Sequence, residues 1–146
     1  MTGFKRVFFD TAPFVYLLDV ETPYTKSMEA IMVYLNSRDI KLITSVITVA
    51  EYLVFPYREN VPQKVQSFFS FIEDNDIDIM DADMGLAEHS AKLRAQYHGF
   101  KGMDALQLAA AHRAECDAFL TNDKQLCQCR EVNCILVDDF KKLLEV

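Results

Sequence analysis

The sequence predicts an α/β fold of three layers: a central parallel sheet of about five strands with helices packed on both faces. Three observations carry this. Short apolar runs rich in β-branched and aromatic residues recur along the chain, and stretches of helical length separate them. No Gly/Ser-rich linker, like-charge block or internal repeat interrupts the alternation. Strands that alternate with helices are joined by crossovers, which makes neighbouring strands parallel.

The elements follow in order. Lys5 to Asp10 reads as the first strand, built on Val7-Phe8-Phe9. Pro13 fits the first turn of the next helix, where no N–H is needed, and that helix continues through Phe14 to Leu18. Pro23 opens a longer helix to about Ser37, with Met28, Ile31, Met32 and Leu35 on one stripe. Lys41 to Thr44 is a short strand, and Ser45 caps a helix that carries Glu51 and is ended or bent by Pro56. A helix from Val61 or Pro62 to Ile72 buries Val65, Phe68, Phe69 and Ile72. Ile77 to Met80 is the next strand, and Asp83 caps a helix reaching about Tyr97. Gly99 to Met103 leads into a helix that Asp104 opens and that runs to about Cys116. The strand Ala118 to Thr121, a short helix near Lys124 to Cys127, the strand Cys134 to Val137 and a last helix from Asp139 complete the chain.

At 146 residues the chain fits one domain, 1–146, large enough to bury a core without staples. Its composition, 51% apolar and 25% charged with 4 Gly and 4 Pro, is that of an ordered globular protein. Asp10 and Pro13 interrupt whatever follows Met1 to Arg6, so no secretory leader is expected. The longest apolar stretches are broken by Glu51, Gln107 and His112, short of the roughly 18 to 20 residues of a membrane span. The expectation is a soluble, cytoplasmic protein with no membrane partner. Cys116, Cys127, Cys129 and Cys134 contain no pair of CxxC elements, which favours reduced thiols over a zinc knuckle.

A net charge of −7 argues against a broad basic face for nucleic acid. Four acids, however, stand apart from the rest. Asp10 closes the run Val7-Phe8-Phe9, and Asp123 closely follows Ala118-Phe119-Leu120-Thr121, at strand ends where open parallel sheets build their sites. Glu51 interrupts the apolar stretch Val46 to Phe55, and Asp104 opens the helix Asp104 to Ala111. If these four share one cation, the remaining balance is only about −3. A small basic rim is then compatible with the overall charge, as is a basic partner protein.

Taken singly, each acid has a structural explanation. Asp10 can cap the helix after it, and Asp104 and Asp123 can sit in first turns, where the helix dipole favours negative charge. Glu51 resists this, because Ile47, Val54 and Phe55 share its helical face and an unpaired buried carboxylate is costly. Two carboxylates about 4 Å apart repel by roughly 4 kcal/mol at an effective dielectric of 20, so a cluster of four demands cations or protonation. Oxygen donors without His or Cys select Mg²⁺ or Mn²⁺, and the chemistry such an ion serves is phosphodiester hydrolysis.

The strings Phe9-Asp10-Thr11-Ala12-Pro13-Phe14-Val15-Tyr16-Leu17-Leu18, Thr48-Val49-Ala50-Glu51-Tyr52-Leu53, Asp104-Ala105-Leu106-Gln107-Leu108-Ala109-Ala110-Ala111 and Leu120-Thr121-Asn122-Asp123 resemble, in order and spacing, the four acidic motifs of PIN-domain ribonucleases of the VapC-like toxin type. The resemblance covers nearly the whole chain. It implies a Rossmann-like PIN fold in which Asp10, Asp104 and Asp123 bind Mg²⁺ or Mn²⁺, while Glu51 binds directly or through water. It also implies that Thr11, Thr121 and Asn122 support these ligands, and that an activated water cleaves RNA in line to leave 5′-phosphate and 3′-hydroxyl ends. Small members of this family are often toxins of type II toxin–antitoxin pairs, so an antitoxin partner and a homodimer are expected. Arg94, Lys101 and Lys124 are the candidate RNA-binding cations, by nearness to the motifs, whereas His89, His98 and His112 read as surface residues.

Other functions fit less well. A non-toxin PIN nuclease of RNA processing would share every motif. A non-catalytic PIN-like binding module would have no reason to keep four mutually repelling acids. A phospho-accepting receiver domain wants two adjacent acids after the first strand, but Thr11 follows Asp10 and only Asp81 fits well. A haloacid-dehalogenase-type phosphatase needs Asp-x-Asp, and position 12 is Ala; a dinucleotide-binding turn needs glycines that Asp10 to Phe14 lack.

Overall fold

Val7, Phe8 and Phe9 are all fully buried, because the strand that holds them, β1 (Arg6–Phe9), lies at the centre of the sheet and is covered on both faces. The structure is a computed structural model and describes residues 2–19 and 21–145. After β1 the chain forms α1 (Thr11–Leu18), α2 (Thr25–Ser37), β2 (Lys41–Ser45), α3 (Val46–Tyr52), α4 (Val54–Arg58), α5 (Pro62–Asp74) and β3 (Asp78–Met80). Then follow α6 (Met84–Gln96), α7 (Gly102–Arg113), β4 (Ala118–Thr121), a 3-10 helix (Lys124–Gln128), β5 (Cys134–Leu136) and α8 (Val137–Leu144).

The strands pair in the order β3-β2-β1-β4-β5, all parallel. Phe8 lies level with Ile43 and Phe119, and these three point to one face, where Phe8 stacks on Phe119 with ring centroids 5.3 Å apart. Helices α6 and α7 cover that face through Leu86, Leu93, Leu108 and the alanines of α7. Val7, Phe9, Leu42 and Leu120 point the other way, onto Phe14 of α1, the Met28-Ile31-Leu35 stripe of α2, Phe68 of α5 and Phe140 of α8. The expected three layers are therefore present.

The chain moves outward from β1 through β2 to β3, then returns to the other side of β1 for β4 and β5. The gap between the carboxyl ends of β1 and β4 is the point where strand order reverses, which is where sheets of this kind leave a crevice. Asp10 and Thr121 stand at its two sides.

The boundaries differ from the sequence expectation where local chemistry intervenes. The break attributed to Pro56 falls earlier, at Leu53, because a proline has no N–H for the carbonyl four residues before it; Pro56 then sits in the first turn of α4. Helix α7 stops at Arg113, and Glu115 with φ 54° turns the chain toward β4. Helix α8 starts at Val137, taking the residue assigned to the last strand. In α5, Phe68 and Ile72 are buried and Val65 half-buried as expected, but Phe69 is exposed.

Candidate active site

Asp10 leaves β1 in extended conformation and caps α1, its Oδ1 accepting the Thr11 N–H at 2.9 Å. Its backbone N–H is tied to the Leu120 carbonyl (3.0 Å), so the carboxylate stands beside the end of β4. There the Thr121 hydroxyl donates to Oδ2 at 2.8 Å. The carboxyl group is nearly buried, and burial pushes its pKa up to about 6, against the lowering effect of the Thr121 and Thr11 bonds; Asp104 and Glu51 push it further in the same direction.

The other acids arrive from three elements. Asp104 lies in the first turn of α7 and is half-buried. Desolvation raises its pKa first, Asp123 and Glu51 add to this through their charge, and Lys101 opposes it. Asp123 begins the 3-10 helix and accepts the Gln125 N–H at 3.0 Å, while its own N–H donates to Thr121 Oγ1 at 3.1 Å. Glu51, on the last turn of α3, accepts the Thr11 hydroxyl at 2.7 Å.

The structure thus brings Asp10, Glu51, Asp104 and Asp123 into one electrostatic neighbourhood. Among the described residues, no three His, Cys, Asp or Glu side chains are already placed to hold a metal ion. The donor set nevertheless fits a hard divalent cation in kind, since all four groups are carboxylates and both Asp10 and Asp104 have pKa values raised by burial and by neighbouring acids, Glu51 among them for each, a repulsion that a cation would relieve. Glu51 departs from expectation in one respect. It is exposed, and so are Val54 (47%) and Phe55 (58%), because the break at Leu53 turns this face outward; only Ile47 is buried.

The supporting residues divide. Thr11 and Thr121 bond directly to acids, whereas Asn122 donates to the Tyr16 hydroxyl at 3.0 Å and so fastens the β4 end to α1. Lys101 and Lys124 are exposed next to Asp104 and Asp123. Arg94 is exposed on α6, where its Nε donates to the Phe100 carbonyl at 3.2 Å and braces the loop leading to α7. His98 and His112 are exposed, but His89 is half-buried with its ring 5.1 Å from that of His112. The four cysteines are all free; burial pushes Cys116 up to about 12 and Cys129 up to about 11.

Sequence reasoning missed a buried polar network behind Asp10. Gln107 is completely buried, and its Nε2 donates to Thr48 Oγ1 at 2.7 Å and to Asp10 Oδ1 at 3.4 Å. Its Oε1 accepts the Ser45 hydroxyl at 2.5 Å. The Thr44 hydroxyl donates to the Phe9 carbonyl at 2.8 Å and lies 2.8 Å from Thr48 Oγ1. The signal was available: Gln107 is the one polar residue between Ala105 and Ala111 in an otherwise apolar helix, three positions after Asp104.

A parallel five-stranded sheet with carboxylates gathered at its strand-order reversal defines an acidic-site α/β protein. The family model for the PIN domain matches residues 7–132, and the chain belongs to that family. No curated protein matches it by sequence. Solved structures share the fold at low identity. VapBC2 from Rickettsia felis, bound to a DNA fragment from its promoter, superposes with TM-score 0.73 at 15% identity over 90% of this chain and 98% of that one. VapC20 of Mycobacterium tuberculosis, a sarcin-ricin loop cleaving toxin, gives 0.70 at 13% over 87% and 98%. FitAcB from Neisseria gonorrhoeae gives 0.65 at 20% over 88% and 96%. Among the described residues no helix is long and apolar enough to cross a membrane.

Proposed function

We propose that this protein is a Mg²⁺- or Mn²⁺-dependent endoribonuclease that acts as the toxin of a type II toxin–antitoxin pair in the cytoplasm. The observation that carries the reading is the position of Asp10: a nearly buried carboxylate at the strand-order reversal, raised to about 6, with Asp104 and Glu51 contributing to that rise. Asp10, Asp104 and Asp123 are the residues to hold the ion, with Glu51 directly or through water. A divalent cation bound there neutralises charge that builds on a phosphodiester and lowers the pKa of water.

The chain's own groups do the rest. Thr121 and the Thr11 N–H fix the Asp10 carboxylate in one orientation, and Thr11 holds Glu51 beside it. Lys101 and Lys124 supply positive charge at the rim, where RNA phosphates enter. The fold shared with VapC20, described as a toxin that cleaves the sarcin-ricin loop, supports an RNA substrate, and that shared with VapBC2 supports an antitoxin partner; the homodimer rests on the family resemblance.

The test is cleavage of RNA with Mg²⁺ or Mn²⁺ by wild type, Asp10→Asn and Asp104→Asn. Wild type is expected to cut, and both variants to be folded and inactive; cutting by both variants would overturn the assignment. A non-toxin PIN nuclease of RNA processing is the second reading, favoured if no small DNA-binding antitoxin is encoded beside this chain and its expression does not arrest growth.

A further inference from the structure

We propose that Gln107 is the positioning residue that sets Asp10 and Asp104 in register with each other, a role that rests on the metal-site reading above. Gln107 lies three residues after Asp104 on α7 and is wholly buried, so it moves with the helix that carries Asp104. Its amide bonds to three other elements at once: Nε2 to Asp10 at the end of β1 and to Thr48 on α3, and Oε1 to Ser45 at the end of β2.

The amide has one way to satisfy these neighbours. Asp10 Oδ1 only accepts while it is ionised, so it takes the NH₂ end, and Oε1 is left to accept the Ser45 proton while the Ser45 oxygen accepts the Ile47 N–H. The NH₂ end therefore faces Asp10 and Thr48. Thr48 Oγ1 lies 3.5 Å from Thr11 Oγ1, whose hydroxyl donates to Glu51. On the opposite side, Thr121 connects Asp10 to the Asp123 N–H. Every element that presents an acid is thus linked through one polar network. Within that network, Gln107 is the member that joins α7 to β1.

A merely structural glutamine and a positioning one differ in how they respond when its partner is removed with it. Gln107→Leu alone leaves the Ser45 proton without an acceptor and takes from Thr48 Oγ1 its shortest bond, though not its contact with Thr44, and so destabilises the fold. Replacing both partners of a bond by apolar groups of similar shape is close to neutral, so Thr48→Val/Gln107→Leu regains the part of that stability that belongs to the Thr48 bond, the Ser45 proton still lacking its acceptor. The proposal requires that Mn²⁺ affinity not return with it, because Asp10 Oδ1 has still lost its only bond to the Asp104 helix.

The experiment measures urea unfolding and Mn²⁺ binding, by electron paramagnetic resonance, for wild type, Asp10→Asn, Gln107→Leu and the double variant. The expected result is Mn²⁺ binding at least about 10-fold weaker in both Gln107→Leu and the double variant, with stability partly recovered in the double variant. Wild-type Mn²⁺ affinity in a stable double variant overturns the positioning role alone. Failure of Asp10→Asn to change Mn²⁺ binding overturns the metal-site reading and this proposal together.

Discussion

The Thr121 hydroxyl donates to Asp10 Oδ2 at 2.8 Å and accepts the Asp123 N–H at 3.1 Å, so one side chain orders two acids. Thr121→Val keeps the shape and removes both bonds. The Asp10 carboxyl then loses the interaction that most lowers its pKa and titrates above about 6. Asp10 Oδ2 and the Asp123 N–H each lose the Thr121 bond, while Oδ1 keeps the Thr11 N–H, and the loss costs about 1–3 kcal/mol. Urea unfolding at neutral pH and carboxyl-carbon NMR titration of Asp10 check the two effects, and an unmoved Asp10 titration would contradict the account.

Asp10 also sets how metal-free stability depends on pH. Its carboxyl titrates at about 6 in the fold against 3.8 in the unfolded chain, so the native state binds the proton more tightly. A raised native pKa stabilises the fold fully below 3.8, and that contribution is lost as pH rises through about 6. The loss approaches ~3 kcal/mol at neutral pH. In EDTA, Asp10→Asn should gain on wild type between pH 4 and 6.5 and melt higher at pH 7.5. Mg²⁺ should raise the wild-type Tm and leave the variant's unchanged. Parallel Tm curves across this range would show that Asp10 ionises freely.

How far these features could be read from sequence depends on the range of the interactions that make them. Asp10 and Asp123 announced themselves because a strand and its next residue are local, and the α2 stripe was legible because its period of three and four needs no knowledge of its neighbours. Glu51 was misjudged for a tertiary reason. A helical face carrying Val54 and Phe55 implies burial only if something packs on it, and here the turn at Leu53 sends both outward. Gln107 stayed hidden because its partners Thr48 and Ser45 lie 59 and 62 residues away. Exposed Phe69 is the same error as Val54, on the neighbouring helix.

The exposure of Glu51 makes its role separable from folding. Glu51→Gln keeps an acceptor for the Thr11 hydroxyl and removes a charge from a solvent-facing position, so stability should change by no more than about 0.5 kcal/mol. RNA cleavage should nevertheless fall, and the Asp10 titration should move down, because a repelling charge has gone. Measuring all three on one preparation decides the matter: a large stability change with cleavage intact would make Glu51 structural.

The basic rim can be tested without touching the acids. Lys101 is exposed at the start of α7, makes no side-chain cap there, and lowers the Asp104 pKa through its charge. Lys101→Ala should therefore leave the helix and the fold intact. If Lys101 meets an RNA phosphate, its loss removes one released counterion, and the slope of log affinity against log salt for a single-stranded RNA should fall by about 0.7. Lys124→Ala is expected to behave in the same way. Arg94→Ala should differ, because its Nε also holds the Phe100 carbonyl and its loss loosens the loop that presents Lys101. The binding is best measured with cleavage-inactive Asp104→Asn as background, over 50 to 200 mM salt. An unchanged slope in Lys101→Ala and Lys124→Ala would place the phosphate contacts elsewhere on this acidic chain.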